Sequence, residues 1–356
     1  MATNLHKFLL TATLALVVLC NTNNAFANSA PAADEPFNPG KMIQDHIADA
    51  PDWHLFDIDG HAYSIPLPVI LYSSQKGLDV FSSSRFEHGH ATYKGYKLES
   101  NHIVAVDTKG AADHSAHFYN VSITKNVASM MLSALLLLAL MLTIANSYKK
   151  RQGLAPSGAQ SFFEPIILYI RDDVAKPMIG PQYAKFMPYL LTIFFFIWFN
   201  NLLGLMPSGA NVSGNITFTM FLALATFVIT TFTANKYYWA HILWTPGVPL
   251  PLRIIILPLE IVGMFTKPFS LMIRLFANIT AGHIIVLSFI GLIFIFKTVY
   301  MSAFGIPFAL FISVLELFVA ILQAYVFTLL TALYFGSAVH AHEHDDDHAQ
   351  GHEAAH

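Results

Sequence analysis

Polar residues interrupt two neighbouring apolar stretches near the C-terminal end of the sequence, and their types suit the handling of charge and protons. The first stretch contains Arg274, Asn278 and His283, and the second contains Glu316 and Gln323. An arginine at bilayer depth costs at least roughly 2.5–3.5 kcal/mol, and its guanidinium cannot lose its proton to avoid that cost. We therefore expect Arg274 to have a role that needs a permanent positive charge.

The spacing of these residues pairs them across a hairpin. If the two stretches run antiparallel around a centre near residue 300, Arg274 is level with Gln323, and His283 is level with Glu316. Arg274 and Asn278 share one helix face, as do Glu316 and Gln323, whereas His283 points to nearly the opposite side from Arg274. An imidazole and a carboxyl group at one depth can exchange protons near neutral pH. One such residue alone could be structural, but five costly groups in adjacent spans predict a proton relay.

The composition predicts an all-α polytopic membrane protein. Hydrophobic residues make up 55% of the chain, charged residues make up 12%, and the mean hydropathy is +0.52. These values are too apolar for an ordinary soluble domain. The net charge of −3 and the lack of a basic stripe interleaved with aromatic residues argue against a nucleic-acid partner. The sequence has no glycine-rich Walker loop, and we expect no cofactor.

The N-terminal residues 1–27 are typical of a secretory signal peptide. Lys7 precedes a short apolar core at residues 8–19, and small residues at 25–27 fit a cleavage site. A retained membrane anchor is the less favoured alternative, because the core is shorter than the roughly 20 residues of a span. Removal of this segment would also remove Cys20, the single cysteine of the chain.

Residues 28–122 predict a small β-containing extracytoplasmic segment. Short β-rich runs begin at Trp53 and His102, and Asp59-Gly60 is a hairpin signal. Several histidines lie in this segment without a regular metal-ligand spacing, so an outer cap is preferred over a metal site. They include His54, His61, His88, His90, His114 and His117.

Five membrane-spanning helices are expected within a domain at residues 123–336. The proposed spans are residues 127–145, 188–206, 216–233, 252–296 and 307–335. The fourth would be about 67 Å long as one helix, more than twice the roughly 30 Å hydrocarbon thickness. It must therefore be steeply tilted or broken, with Pro258 and Pro268 as the candidate breaks. We expect a long, steeply tilted hairpin that turns at residues 297–307.

Charge predicts the orientation of the chain in the membrane. The connection between the first two spans is rich in Lys and Arg, whereas residues 208–215 contain neither. By the positive-inside rule, the first connection is cytoplasmic. We therefore expect a multi-pass protein of the bacterial inner membrane. Its five crossings would place the N-terminus in the periplasm and the C-terminus in the cytoplasm.

The C-terminal tail at residues 337–356 is rich in His and Asp. Its histidines include four at a four-residue period, His344, His348, His352 and His356, which would line one face of a helix. A zinc or nickel site is conceivable there. Disorder is favoured instead, because Gly351 interrupts the pattern and large apolar residues are absent after Val339. A purification tag is a further alternative.

Three segments resemble the signature segments of subunit a of F-type ATP synthases. They are Arg-Leu-Phe-Ala-Asn-Ile-Thr-Ala-Gly at 274–282, Asn-Leu-Leu-Gly-Leu-Met-Pro at 201–207 and Leu-Gln-Ala-Tyr-Val-Phe at 322–327. The resemblance covers about residues 118–336. It implies a non-catalytic proton-channel stator beside a rotating c-subunit ring, in contact with peripheral-stalk b subunits, other subunits of the complex and membrane lipid.

The resemblance also implies roles for single residues. Arg274 matches the stator arginine that attracts ring carboxylates and prevents a proton short circuit between two offset half-channels, and Asn278 and Gln323 match polar positions beside it. His283 and Glu316 match half-channel positions that bacterial members often fill the other way round. Gly204 falls where some relatives carry an aspartate at the entry to a half-channel. We expect Asn200, Asn201 or Asn215, together with water, to conduct protons at that entry instead.

The alternative from another class is a metal-ion or solute transporter with a His-rich cytoplasmic tail. Such a carrier should place several His or Asp ligands inside its spans and should show inverted repeats. The sequence shows one histidine within the predicted spans and no repeat. An intramembrane protease is weaker still, because no His-Glu-x-x-His pair occurs in a span.

Overall fold

The computed structural model describes residues 38–58, 61–74, 77–89, 91–99, 101–107, 113, 117–206, 208–244 and 249–339. These residues form two compact units. The first contains the described residues up to 128 together with 288–305, and the second contains 129–287 and the described residues from 306 onward. The predicted signal peptide at residues 1–27 and residues 340–356 of the tail lie outside the described residues.

The first unit begins with a short helix, α1, at Pro39–Ile47, and continues as short strands. Asn38 caps α1 by accepting a hydrogen bond from the backbone N–H of Lys41, and Pro39 occupies the first turn, where its missing N–H costs nothing. The strands are β1 (Asp52–Ile58), β2 (His61–Pro66), β3 (Pro68–Ser73), β4 (Gly77–Ser82), β5 (Thr92–Tyr93), β6 (Tyr96–Glu99), β7 (His102–Ala105) and β8 (Tyr119–Asn120).

The strands pair as antiparallel ladders in three small sheets. β1 pairs with β2, β3 lies between β4 and β8, and β6 lies between β5 and β7. β1 and β2 pair up to Ile58 and His61, as expected for a hairpin, and the expected turn residues Asp59 and Gly60 lie outside the described residues. Alternate residues of β3, Val69 and Leu71, are fully buried in a core shared with Phe86 from a 3₁₀ turn.

The second unit is helical, and three of its helices extend into the first unit. The helices are α2 (Lys125–Lys150), α3 (Ala159–Tyr169), α4 (Lys176–Ile179), α5 (Tyr183–Gly204), α6 (Ile216–Thr233), α7 (Lys236–Leu243), α8 (Leu250–Phe296) and α9 (Val299–Val339). A π-helical segment, Ile170–Ala175, joins α3 to α4, and 3₁₀ turns lie at Gly180–Gln182 and Val212–Gly214.

Five of these helical stretches are long and apolar enough to cross a membrane. They are Lys125–Lys150, Ala159–Gly204, Ile216–Thr233, Pro251–Phe296 and Val299–Val339. This confirms the expected multi-pass all-α membrane protein with a small β-containing N-terminal region. The core of the second unit joins α2, α5, α6, α8 and α9 through buried side chains that include Leu137, Phe195, Leu222, Leu275 and Phe327.

The hairpin differs from the expected one at its prolines and at its turn. α8 is continuous over 47 residues with Pro258 and Pro268 inside it, so the expected breaks at these prolines are wrong. Each proline removes one backbone donor, and a long apolar helix tolerates that loss because all its other backbone bonds remain internal. The turn consists of Lys297 and Thr298 alone, since α9 starts at Val299 and includes Pro307. Lys297 adopts the left-handed region at φ 48°, which closes the turn.

Candidate functional site

The hairpin brings an imidazole and a carboxyl group together between α8 and α9. Nδ1 of His283 lies 3.4 Å from Oε1 of Glu316, and the two side chains are 13% and 5% exposed. That distance is longer than a strong hydrogen bond, yet a small side-chain rotation would close it. The predicted pairing of His283 with Glu316 is therefore present in the fold, in a position that keeps most water away from both groups.

Two glycines create the space around this pair. A Cβ placed on Gly282 would lie 2.8 Å from Oε1 of Glu316, so the carboxyl group rests directly on the backbone of α8. A Cβ placed on Gly204 would lie 4.0 Å from Nε2 of His283, so the other ring nitrogen faces α5. The site thus involves three helices. Gly282 was not singled out from the sequence, although a small residue directly before His283 is the signal that could have found it.

A second polar contact joins the same two helices. Nδ2 of Asn278 donates to Oε1 of Gln323 at 2.8 Å. Gln323 is buried, at 3% exposure, while Asn278 is exposed. The hydrogen-bond partner of Gln323 on α8 is therefore Asn278, and the expectation that Arg274 lies level with Gln323 stays a prediction. Asn278 is one turn closer to the tip of the hairpin on the same face of α8, and its amide takes the position opposite Gln323.

Arg274 lies at the surface of α8. Its side chain is exposed, and no hydrogen bond or ion pair joins it to the residues that the structure describes. A permanent charge on an apolar helix is costly unless an anion or water meets it. The charge of Arg274 is therefore accessible to an anion or to water, on the same helix face as Asn278.

The three asparagines expected near an entry point have distinct local contacts. Asn201 is buried, donates to the carbonyl oxygen of Ala320 at 3.1 Å and accepts from Oγ of Ser213 at 2.6 Å. Asn200 donates to the carbonyl oxygen of Phe196, which leaves its own buried Oδ1 without a partner among the described residues. Asn215 caps α6 by accepting from the backbone N–H of Thr217. Ser213 was missed, because a serine in a short loop carries no distinctive pattern.

Metal-ligand candidates remain apart within the part of the chain that the structure describes. No group of three or more His, Cys, Asp or Glu side chains comes together there. His344, His348, His352 and His356 of the tail, and His90 and His114 of the N-terminal segment, lie outside the described residues.

The fold and the site define a class: a multi-pass membrane protein with an acid–imidazole pair and an exposed arginine on a long helical hairpin. The family model described as ATP synthase A chain matches residues 127–336, more than half of the chain. The chain therefore belongs to the ATP synthase subunit a family. A second family model, a domain of unknown function, matches residues 42–126.

Individual relatives carry the same name. ATP synthase subunit a of Chloroherpeton thalassium is 47% identical over 244 residues, which cover 67% of this chain and 72% of the relative. ATP synthase subunit a 2 of Chlorobaculum tepidum is 51% identical over 242 residues, which cover 66% of this chain and 67% of the relative. The expected family is thus confirmed.

Membership in this family settles the broad function. The chain is the proton-channel stator subunit of an ATP synthase, a non-catalytic, proton-translocating subunit of a multisubunit complex. The alternative of a metal-ion or solute transporter is not supported.

Proposed function

We propose that the hairpin of α8 and α9 forms the stationary part of the proton path, with Arg274, Asn278, His283, Glu316 and Gln323 as its working residues. The observation that carries this proposal is the approach of His283 and Glu316 to 3.4 Å inside a helical hairpin of membrane-spanning length. An acid and a base in contact, both shielded from bulk water, can hold one proton and pass it on. These two residues are the proposed proton-binding groups of a half-channel.

Arg274 has a different role in this proposal. Its exposed side chain is proposed to meet the deprotonated carboxylate of each passing subunit of the c ring. The attraction between the two charges is strong at low dielectric, and the guanidinium cannot itself accept or release a proton. Protons therefore cannot pass directly between the two half-channels at Arg274 and must first bind to a carboxylate of the ring. This requirement couples proton flow to rotation and ATP synthesis.

The polar residues beside these groups support the path. The hydrogen bond from Asn278 to Gln323 holds α8 against α9 one turn from Arg274. Asn200, Asn201 and Asn215 are proposed to line the entry with water. The buried, unpaired Oδ1 of Asn200 supports this role, since a buried acceptor without a partner among the described residues is a position for water.

The distribution of charge supports an orientation in a bacterial inner membrane. Lys149, Lys150 and Arg151 at the end of α2 support a cytoplasmic position for that end, and with it a periplasmic N-terminus and a cytoplasmic C-terminus. In this arrangement residues 28–122 form a periplasmic segment after a signal peptide at 1–27, residues 123–336 form the membrane domain, and residues 337–356 form a cytoplasmic tail.

The partners follow from the family. The c-subunit ring lies against the stator, peripheral-stalk b subunits hold it in place, and lipid surrounds its remaining apolar surface. Exposed apolar side chains such as Leu317, Phe318 and Leu322 on α9 provide surface for these contacts.

ATP-driven acidification of inside-out membrane vesicles tests the proposal, with ATP hydrolysis followed in parallel. Arg274→Ala should abolish acidification while the complex remains assembled. Lys267→Ala is the matched control, because it removes another exposed cation two turns away on α8, and it should acidify within about threefold of the native rate. Acidification at the native rate by the assembled Arg274→Ala complex would overturn the proposed role of this arginine.

A further inference from the structure

The C-terminal end of the short helix α1 and the residues directly after it are hydrogen-bonded to the start of the first membrane-spanning helix. The backbone N–H of Lys125 donates to the carbonyl oxygen of Ala50 at 2.9 Å, and the N–H of Asn126 donates to Oδ1 of Asp49 at 3.1 Å. Nζ of Lys125 also donates to the carbonyl oxygen of His46 at 3.2 Å. Three hydrogen bonds thus fix the last turn of α1 and the residues directly after it to the first turn of α2.

The other end of α1 packs on the tip of the long hairpin, within the same compact unit. A Cβ placed on Gly291 of α8 would lie 3.4 Å from Cβ of Pro39 and 3.7 Å from Cε of Met42. Gly291 is buried under these side chains. The contact leaves room for one additional methyl group at most, so a large side chain at position 291 would push α1 away.

The tip of the hairpin is itself tightly packed. The turn has two residues, and a Cβ placed on Gly305 of α9 would lie 3.1 Å from Cγ1 of Ile293 on α8. Both arms therefore approach closely beside the turn, and a restraint on one arm at this point also restrains the other.

We propose that α1 is a brace that holds the tip of the hairpin to the start of α2, and that Met42 and Gly291 thereby act as positioning residues for proton transfer at His283. This inference rests on the proposed function of the hairpin. Gly291 follows His283 by two turns, about 12 Å along the same continuous helix. A helix of about 70 Å bends easily unless its ends are held, and proton transfer depends on separations of a few tenths of an ångström.

The brace lies outside the part of the chain that matches the ATP synthase family. That match begins at residue 127, whereas most of α1 falls in the domain of unknown function that matches residues 42–126. The inference therefore assigns a role to that N-terminal segment, which stabilises the hairpin from outside the helical part that matches the family.

A cysteine cross-link tests the contact in the assembled ATP synthase. In a Cys20→Ser background, Pro39→Cys with Gly291→Cys should form a disulfide on mild oxidation, because the Cβ separation of 3.4 Å is close to disulfide geometry. Pro39→Cys with Gly263→Cys is the control, since no atom approaches a Cβ at position 263 within 4 Å. Peptide mass spectrometry detects the bridge, and its absence in the first pair would overturn the brace.

Proton pumping in inside-out vesicles tests the consequence. Gly291→Leu should lower acidification at least fivefold with ATP hydrolysis retained and should shift the pH profile of pumping, because the surroundings of His283 change. Gly263→Leu should remain within twofold of native. Adding Met42→Ala to Gly291→Leu should restore pumping, because the smaller side chain at position 42 makes room for the leucine at position 291.

The remaining outcomes separate this inference from the proposed function. Native pumping by Gly291→Leu, or reduced pumping with an unchanged pH profile and no rescue by Met42→Ala, contradicts the positioning role even if the cross-link forms. Arg274→Ala in the same vesicles reports independently on the proposed function, because Arg274 has no part in the brace contact.

Discussion

Glu316 and Gly282 form a close contact that determines where the acid of the site can lie. The carboxyl group of Glu316 occupies the space that a side chain at position 282 would need, and this brings Oε1 to 3.4 Å from Nδ1 of His283 on the next residue of α8. The absence of a side chain at one position therefore sets the distance between two others.

Gly282→Ala should impair proton transfer without unfolding the chain. The added Cβ would overlap Oε1 of Glu316, whose flexible side chain can move aside at little cost in stability. The displaced carboxyl group would leave the reach of His283, so pumping in inside-out vesicles should fall about tenfold or more. Gly263→Ala on the same helix meets open space and should pump normally. Equal pumping by the two variants would show that this contact does not govern the pair.

Exchanging the acid and the imidazole should preserve the function of the pair. His283→Glu with Glu316→His keeps one carboxyl group and one imidazole in contact, so the double variant should pump within about tenfold of native. His283→Ala and Glu316→Ala each remove one proton-binding group and should reduce pumping by about 10²-fold, in the range of general acid–base contributions. A double variant no better than the single variants would argue that each position requires its own group.

Asn201→Leu should destabilise the packing of α5 on α9. The substitution removes two hydrogen bonds and leaves the carbonyl oxygen of Ala320 and Oγ of Ser213 without their partner, at a cost of about 1–3 kcal/mol. Ser213→Ala removes one of these bonds and should cost about 0.5–1.5 kcal/mol. Thermal unfolding of the purified complex, followed by loss of this subunit, measures both effects. A smaller effect for Asn201→Leu than for Ser213→Ala would contradict the role of Asn201 as an interhelical link.

Gly336→Ala should disrupt the end of α9. A Cβ at this buried position would overlap the carbonyl oxygen of Met178, which belongs to the backbone and cannot rotate away. Overpacking of this kind costs about 1–3 kcal/mol and should lower the amount of subunit in the membrane, as measured by immunoblotting. Gly263→Ala should have no such effect, since alanine is favoured over glycine inside a helix. Normal levels of the Gly336→Ala subunit would show that α4 yields at this point.

Much of the fold could be predicted because its signals are strong and local. The third span, Ile216–Thr233, was predicted with the same bounds that the structure shows. An uninterrupted apolar run has few alternatives to a membrane helix. The pairing of His283 with Glu316 was also predictable, since a helical hairpin relates residues at similar distances from its turn.

The predictions from sequence failed where local residue preferences compete with the packing of the surrounding helices. Pro258 and Pro268 suggested breaks, but the apolar residues on both sides keep α8 helical through them. The contacts made by Gly282, Gly204 and Ser213 depend on how closely α5, α8 and α9 approach each other. A single sequence does not contain those distances, so these contacts became visible only in three dimensions.

The two-residue turn of the hairpin restricts how sequences of this kind can change in length. With Lys297 and Thr298 as the only connection, one arm cannot slide along the other without rebuilding the turn. Inserting one residue between His283 and the turn would rotate His283 by about 100° and shift it by about 1.5 Å relative to Glu316. Insertions and deletions should therefore be tolerated in the connection near residues 151–158 but excluded from residues 283–316, unless both arms change together.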